Sequence, residues 1–158
     1  MNYKIRKANI SDSQIILNFI KELAVYEQLE GKVVATIDSI NATLFCDNPK
    51  VEALILEVDV SPVGFAVFFH NYSTFLSKHG IYIEDIYVKD TYRGFGYGKA
   101  IFKHICMLAK ERDCGRVEWW CLDWNKPSID FYLKLGAEPM SDWTVYRLNK
   151  KEIDEIAS

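Results

Sequence analysis

Stretches rich in β-branched and aromatic residues recur along the chain, and several alternate between apolar and polar positions. Such stretches are typical of β-strands, and turn residues such as Ser61-Pro62 separate them. Six strands are therefore predicted, over residues 3–7, 51–60, 63–72, 81–88, 116–122 and 143–148.

Between these strands, apolar residues recur at the spacing of three and four that predicts an amphipathic helix. Each of these stretches starts beside a residue or a turn that is typical of helix N-termini. The four predicted helices begin at Ser11 or Asp12, at Thr36, at about Lys99 and next to Pro127, and the last of them ends at Gly136. The charged tail beyond Asn149 is either helical or frayed.

The order of the elements is β-α-α-β-β-β-loop-α-β-α-β. A run of strands leads into a strand–loop–helix–strand unit, which implies an α/β (α+β) fold with a mixed sheet and helices on its faces. No repeat, low-complexity segment or linker interrupts the chain. One domain over residues 1–158 is therefore predicted.

Composition and charge exclude several classes of function. The chain is 49% hydrophobic and 26% charged, as in ordinary soluble proteins, and its net charge of −3 is evenly mixed. Nucleic acid is not an expected partner, because phosphate binding needs clustered Lys and Arg. The first residues run directly into charged sequence, and no long apolar run follows. We expect no signal peptide, no membrane partner and a cytoplasmic location.

The cysteines and histidines do not form a recognisable metal or catalytic pattern. No C-x-x-C pair occurs among the four cysteines, and the three histidines have no metal-ligand spacing, so no metal is expected. Cys106 and Cys121 lie in apolar stretches and are predicted to be small core residues.

A glycine-rich loop over residues 93–98 joins a predicted strand to a predicted helix. Backbone N–H groups at a helix N-terminus favour an anion, and glycine allows its close approach. The loop is not G-x-G-x-x-G, so it lacks the dinucleotide-binding pattern. It is not a P-loop either, because Gly94 and Gly98 are too close together and Ala100 follows Lys99. Kinase and nucleotide-hydrolase functions are therefore not expected.

The loop does contain R-x-x-G-x-G, formed by Arg93, Gly96 and Gly98. With this motif the chain resembles the GNAT acetyltransferase superfamily, in which the motif holds the pyrophosphate of acetyl-CoA. Three separated blocks resemble the diamine (spermidine/spermine) acetyltransferase branch, namely residues 82–88, 92–96 and 124–132, and residues 21–27 are also similar to it.

The resemblance implies a GNAT fold with a twisted, mostly antiparallel sheet, acetyl-CoA as the cofactor, and a homodimer. It also implies that three segments bind the cofactor, namely one strand, the glycine loop and the first turn of a later helix. The cofactor-binding residues carried over are Ile86, Tyr87, Val88, Arg93, Gly94, Phe95, Gly96, Tyr97, Gly98, Lys99, Asn125, Lys126, Pro127 and Ser128.

Amine acetylation needs a proton acceptor for the amine and a proton donor for the thiolate that leaves. Glu84 and Asp85 lie inside a hydrophobic strand, where alternation directs their side chains to opposite faces. The resemblance places Glu84 at the substrate amine as the base. It also makes Tyr132 the acid, and Asn125 and Tyr132 share one helical stripe.

The acceptor is predicted to be a primary amine on a small molecule, with direct transfer from acetyl-CoA to a polyamine or diamine. Alternatives are a lysine-like amino acid such as thialysine, a protein amine, and a regulatory module that binds CoA without turnover. The presence of Glu84 and Tyr132 argues against the last alternative. The candidate substrate-binding residues are Tyr26, Glu27, Glu84, Asp85, Glu118, Trp119 and Trp120.

Overall fold

A computed structural model describes residues 2–158 of the chain. The chain divides into two compact units, Met1–Trp120 and Cys121–Ser158, and each has its own description below. The single domain over residues 1–158 stays a prediction. Within residues 2–158, no helix is both long and apolar enough to cross a membrane.

The first unit contains one sheet with the strand order β1-β2-β3-β4-β5. Its strands are β1 (Tyr3–Lys7), β2 (Glu52–Val58), β3 (Ser61–Ser73), β4 (Lys78–Val88) and β5 (Val117–Trp119). The first four strands pair in antiparallel fashion, and β5 pairs with β4 in parallel. The predicted mixed, mostly antiparallel sheet is confirmed, although β5 is shorter than the predicted 116–122.

Three α-helices belong to the first unit: α1 (Ser13–Tyr26), α2 (Ile37–Leu44) and α3 (Tyr97–Glu111). The predicted cap of α2 is confirmed, because Thr36 Oγ1 accepts the N–H of Ser39 at 3.1 Å. Asp12 is the residue that precedes α1, as predicted, but its side chain does not cap α1 and instead accepts the N–H of Asn9 at 2.8 Å. Asn9 caps a short 3₁₀ turn there through the N–H of Ser11, and α1 follows that turn.

Both faces of the sheet are covered by helices. On one face, α1 and α2 pack against alternate residues of β2, β3 and β4, and Phe19 of α1 stacks on Phe65 at a centroid distance of 5.3 Å. On the other face lies α3, whose Phe102 meets Trp119 of β5 edge-on at 5.0 Å. The buried residues of α3 include Ile101 and Ile105 of the predicted apolar stripe. The alternation of the strands therefore supplies two separate apolar layers.

The turn between β2 and β3 lies two residues earlier than predicted. Val58 pairs with Ser61, so Ser61-Pro62 belongs to the start of β3, and Asp59-Val60 forms the turn. Both turn residues have positive φ angles, 47° and 64°. Two left-handed residues are typical of a type I′ turn, whose twist matches the twist of a β-hairpin.

Replacing Val60 with glycine is expected to stabilise the protein. A β-branched residue is strained in the left-handed region, and Val60 is 91% exposed, so little packing is lost. Glycine removes backbone strain of about 1–2 kcal/mol but costs more conformational entropy on folding. The free energy of unfolding should therefore rise by about 0.5–1 kcal/mol. Urea denaturation measures this change. Val60→Ala is the control and should show no such gain, and equal gains in both variants would contradict the explanation.

The second unit contains α4 (Lys126–Lys134) and α5 (Lys150–Ala157). Pro127 lies in the first turn of α4, and Gly136 follows its end with a φ angle of +87°, so both predicted signals are confirmed. The predicted strand over 143–148 is wrong, because that segment has no regular secondary structure. Residues 121–158 include no strand to pair with it, and an isolated strand leaves its backbone groups unbonded.

The prediction that Cys106 and Cys121 are core residues is also wrong. Cys106 is exposed and Cys121 is half-buried. Cys106 follows Lys99 and Lys103 on the solvent side of α3, away from the stripe that contains Ile101 and Ile105. The apolar sequence around it reflects its neighbours and not its own position on the helix.

Candidate active site

The two strands at the parallel end of the sheet separate halfway along β4. Among residues 2–158, β5 pairs with β4 only from Ile81 to Ile83. Beyond Ile83, β4 continues to Val88 next to β3 alone. The second half of β4 therefore has an open edge, at the position where the resemblance predicted cofactor contacts along the strand.

A β-bulge lies at the start of this open edge. Val67 pairs with Asp85 and Phe68 pairs with Ile83, which leaves Glu84 without an opposite residue. The expectation that Glu84 and Asp85 face opposite sides rested on strict alternation, which a bulge interrupts, and it stays a prediction. Bulges redirect side chains and are common beside active sites.

The bulge also decides which main-chain groups point outward. The N–H of Lys89 donates to Val63 O on β3 at 2.9 Å, so by alternation Tyr87 also bonds toward β3. Ile86 and Val88 then direct their N–H groups to the open edge. The side chain of Tyr87 is buried, and burial followed by the charge of Glu22 raises its pKa to about 12. Of the three strand residues predicted to bind cofactor, Ile86 and Val88 direct their main-chain N–H groups to the open edge and Tyr87 directs its own toward β3; cofactor contact stays a prediction for all three.

The glycine loop leads directly into α3, which begins two residues earlier than predicted. Gly94 and Gly96 have φ angles of +84° and +85°, so glycine is needed at both positions. The first intrahelical bond runs from Ala100 N–H to Gly96 O at 3.0 Å. The preceding N–H groups, those of Gly98 and Lys99, therefore have no acceptor within the helix. Such a turn fits a pyrophosphate, because main-chain donors and the helix dipole favour an anion.

Aromatic contacts hold this loop on the sheet. Tyr97 is buried, and its ring lies 5.8 Å from that of Tyr3 on β1 and 6.2 Å from that of Phe95. Tyr92 approaches the same ring at 6.5 Å. The side chain of Tyr97 is thus part of a packed aromatic cluster, and only its backbone can face a cofactor. Phe95 is 60% exposed.

Arg93 connects the loop to two other elements. Its Nε donates to Val88 O at 2.9 Å, and Nη2 lies 2.7 Å from Asp90 Oδ1. The guanidinium carbon lies 4.5 Å from the ring centroid of Tyr26 and 5.4 Å from that of Tyr87. The side chain therefore bonds to the open edge of β4 and packs against the C-terminal end of α1.

Carboxylates gather at the junction of α1 with the bulge. Burial, followed by the charges of Glu84 and Glu27, raises the pKa of Asp85 to about 6. Burial also raises the pKa of Glu27, which immediately follows α1. Glu84 itself is exposed. Of the two adjacent acids in the strand, Asp85 occupies the environment in which a carboxyl group titrates near neutral pH.

The three candidate substrate residues on and after β5 differ in their contacts. Glu118 accepts a hydrogen bond from Asn71 Nδ2 at 2.7 Å and lies 2.9 Å from Arg116 Nε, so its carboxylate joins β5 to β3. Trp119 packs on α3. Trp120 is 56% exposed and meets the ring of Tyr82 edge-on at 5.9 Å. Trp120 is therefore the member of this group with the greatest exposed aromatic surface.

In the second unit, Asn125 is buried and caps α4. Its Oδ1 accepts the N–H of Ser128 at 3.4 Å. Lys126 forms an exposed ion pair with Asp130 at 2.8 Å, one turn along the helix. Tyr132 lies within α4 and is half-buried. Asn125 thus precedes the helix that was predicted to contain it.

The ion pair between Asp90 and Arg93 was not predicted from sequence. Asp90 stands three residues before Arg93, and this spacing was a visible signal. Opposite charges at that spacing are, however, common on ordinary protein surfaces.

Comparisons of sequence agree on one family. The model of the acetyltransferase (GNAT) family matches residues 19–137. The chain is 35% identical over 164 aligned residues to thialysine N-epsilon-acetyltransferase from Sus scrofa, which covers 97% of this chain and 96% of that protein. It is 30% identical to L-ornithine N5-acetyltransferase NATA1 from Arabidopsis thaliana, covering 97% of this chain and 87% of that protein.

Comparison of structures shows the same fold. An integron cassette protein from the mobile metagenome of V. cholerae superposes with a TM-score of 0.83 at 21% identity, covering 99% of this chain and 98% of that one. The open edge of β4, the glycine turn before α3 and the family match over residues 19–137 coincide in one chain. The chain belongs to the GNAT family, whose members use acetyl-CoA as acetyl donor, and it is an amine N-acetyltransferase.

Proposed function

We propose that this enzyme transfers acetyl directly from acetyl-CoA to the terminal primary amine of a small polyamine or diamine. The main support is the group of carboxylates at the end of α1, where burial and the charges of Glu84 and Glu27 raise the pKa of Asp85 and burial raises the pKa of Glu27. A substrate with two or more ammonium groups matches that charge. The acidic group lies next to the open edge of β4, along which the thioester is proposed to bind.

The amine must be neutral before its nitrogen attacks the thioester carbonyl. With a pKa of about 6, Asp85 is ionised at pH 7 and can accept the ammonium proton directly or through water. Glu84, the base expected from the resemblance, is more exposed and is proposed to attract the cation. When the carbon–sulfur bond breaks, the thiolate takes a proton, for which the resemblance indicates the Tyr132 hydroxyl.

Main-chain groups are proposed to hold the donor and to stabilise the oxyanion of the tetrahedral intermediate. The outward N–H of Val88 is the candidate oxyanion donor, and that of Ile86 is a candidate partner for the pantetheine amides. The amides of Gly98 and Lys99 are suited to the pyrophosphate. Asn125, Lys126, Pro127 and Ser128 remain candidates for cofactor contacts by resemblance.

A second candidate acceptor is the side-chain amine of a lysine-like amino acid. The printed functions of two relatives, a thialysine acetyltransferase and an ornithine acetyltransferase, favour this alternative. Both of those substrates carry a carboxylate, which the acids around Asp85 would repel unless it lies well away from them.

Thiol release from acetyl-CoA tests these acceptors. Putrescine and spermidine should give higher kcat/KM values than thialysine, ornithine and lysine if the polyamine proposal is correct. The opposite order would replace it with the amino-acid alternative. The N-acetylated product should be identified by mass spectrometry, with acetyl-CoA alone as the control for slow hydrolysis.

A homodimer and a cytoplasmic location are proposed from the family resemblance. Light scattering of the purified protein should give twice the mass of the 18.3 kDa chain. A single-chain mass at micromolar concentration would remove the dimer from the proposal.

A further inference from the structure

We infer that Arg93 is a positioning residue that couples the acceptor side of the site to the donor side, and is not itself a ligand of the cofactor phosphates. This inference rests on the proposed function, since it assumes acetyl-CoA along the open edge of β4 and an amine near the end of α1. In this proposal, Arg93 of the R-x-x-G-x-G motif connects α1, β4 and the glycine loop.

Two of the three guanidinium nitrogens of Arg93, Nε and Nη2, bond within the protein. Nε donates to Val88 O at 2.9 Å, and Nη2 meets the Asp90 carboxylate at 2.7 Å. Val88 O lies at the open edge, on the same side as the Val88 N–H. Arg93 therefore anchors the peptide group that follows Val88, next to the one whose N–H is proposed to act on the thioester.

The flat faces of the same group pack against aromatic rings. The guanidinium carbon is 4.5 Å from the Tyr26 centroid and 5.4 Å from the Tyr87 centroid, within cation–π range. Tyr26 is the last residue of α1, and Glu27 follows it directly. The end of α1 is thereby held against the strand that contains Asp85.

One consequence concerns a residue on the acceptor side. Removing the Tyr26 ring should weaken cofactor binding even when no amine is present, because Arg93 loses one of its supports and Val88 is held less firmly. If Arg93 instead contacted phosphate directly, its own replacement would matter and the Tyr26 ring would not. Lysine at position 93 keeps the charge but loses the planar group that bonds to Val88 and Asp90 while it packs on the rings.

The test measures the Kd of CoA by calorimetry without amine, in wild type, Tyr26→Leu, Arg93→Lys and the double variant. We expect each single change to raise the Kd about three- to tenfold, and the double variant to bind about as well as the weaker single variant. Tyr26→Phe keeps the ring and should restore the Kd to within about twofold of wild type. In kinetics, Tyr26→Leu and Arg93→Lys should raise the KM for both substrates and should also lower kcat, because the N–H of Val88 is the proposed oxyanion donor.

Arg112→Lys is the matched control. Arg112 also pairs with a carboxylate, Glu52, and lies 5.9 Å from the ring of Phe68, but it stands at the far end of α3. Its CoA affinity should equal that of wild type. Thermal unfolding verifies folding of each variant, and Tyr26→Met replaces Tyr26→Leu if the latter unfolds.

Three outcomes distinguish the hypotheses. No CoA binding by wild type would end the proposed function itself. Wild-type binding with an unchanged Kd in both Tyr26→Leu and Tyr26→Met would overturn the coupling by Arg93 and leave the proposed function in place. Additive effects in the double variant would also overturn it, because residues that act through one contact cannot lose that contact twice.

Discussion

Asp85→Asn is expected to lower kcat by about 100-fold, the usual contribution of a well-placed general base. Asparagine keeps the size of the side chain but cannot accept the ammonium proton. In wild type, kcat/KM should fall as the pH drops through about 6, where Asp85 becomes protonated, and this limb should vanish in the variant. Both effects are measured from steady-state rates between about pH 5 and 9, taken at steps of about one pH unit.

The same substitution is expected to stabilise the fold at high pH. Folding raises the pKa of Asp85 from 3.8 to about 6, so the folded state binds a proton more tightly than the unfolded state. Wild-type stability from this group is therefore lost as the pH rises from about 4 through 6. The variant lacks this loss and should be more stable by about 2–3 kcal/mol above pH 7, with little difference near pH 4. Urea denaturation at both pH values measures it.

Glu84→Gln is the matched control for both effects. Glu84 is adjacent to Asp85 and exposed, so its replacement should not produce the same pH-dependent stabilisation. A loss of kcat of about 100-fold is what removal of a general base is expected to cause. If Glu84→Gln shows this loss while Asp85→Asn turns over almost normally, Glu84 is the base.

Tyr132→Phe is expected to reduce kcat by about 100- to 1000-fold while the Kd of CoA stays within about twofold. The hydroxyl is proposed to act only when the thiolate departs, so its removal affects the transition state and not ground-state binding. Tyr146→Phe is the control, since Tyr146 lies in the same unit and is 91% exposed. Unaltered turnover in Tyr132→Phe would remove Tyr132 from the mechanism.

Local signals in the sequence predicted much of the fold. Thr36 capped its helix as expected, and Pro127 and Gly136 marked the two ends of α4. Each of these residues acts within one turn of itself, through a side-chain oxygen, a fixed φ angle or a tolerated positive φ angle. The Asp59-Val60 turn was missed because a β-branched residue such as Val60 contradicts the local preference for a left-handed position, and pairing of the flanking strands holds it there.

The sequence indicated candidate residues for the site but not how these residues are arranged in space. The motif around Gly96 and the adjacent acids in β4 were visible as sequence, and the family that they indicated is the one whose model matches residues 19–137; the roles of these residues stay predictions. The bulge at Glu84 was not visible, because a bulge is a mismatch between two strands and only the pairing with β3 defines it.

By itself, the sequence determined the family, the order of the elements and a glycine turn able to approach an anion, because these depend on residue type and short-range geometry. Only the tertiary structure decided that β4 separates from β5 after Ile83, that Asp85 is the acid with the raised pKa, and that Arg93 packs on Tyr26. Strand separation, desolvation and stacking depend on groups far apart along the chain, so no local pattern specifies them.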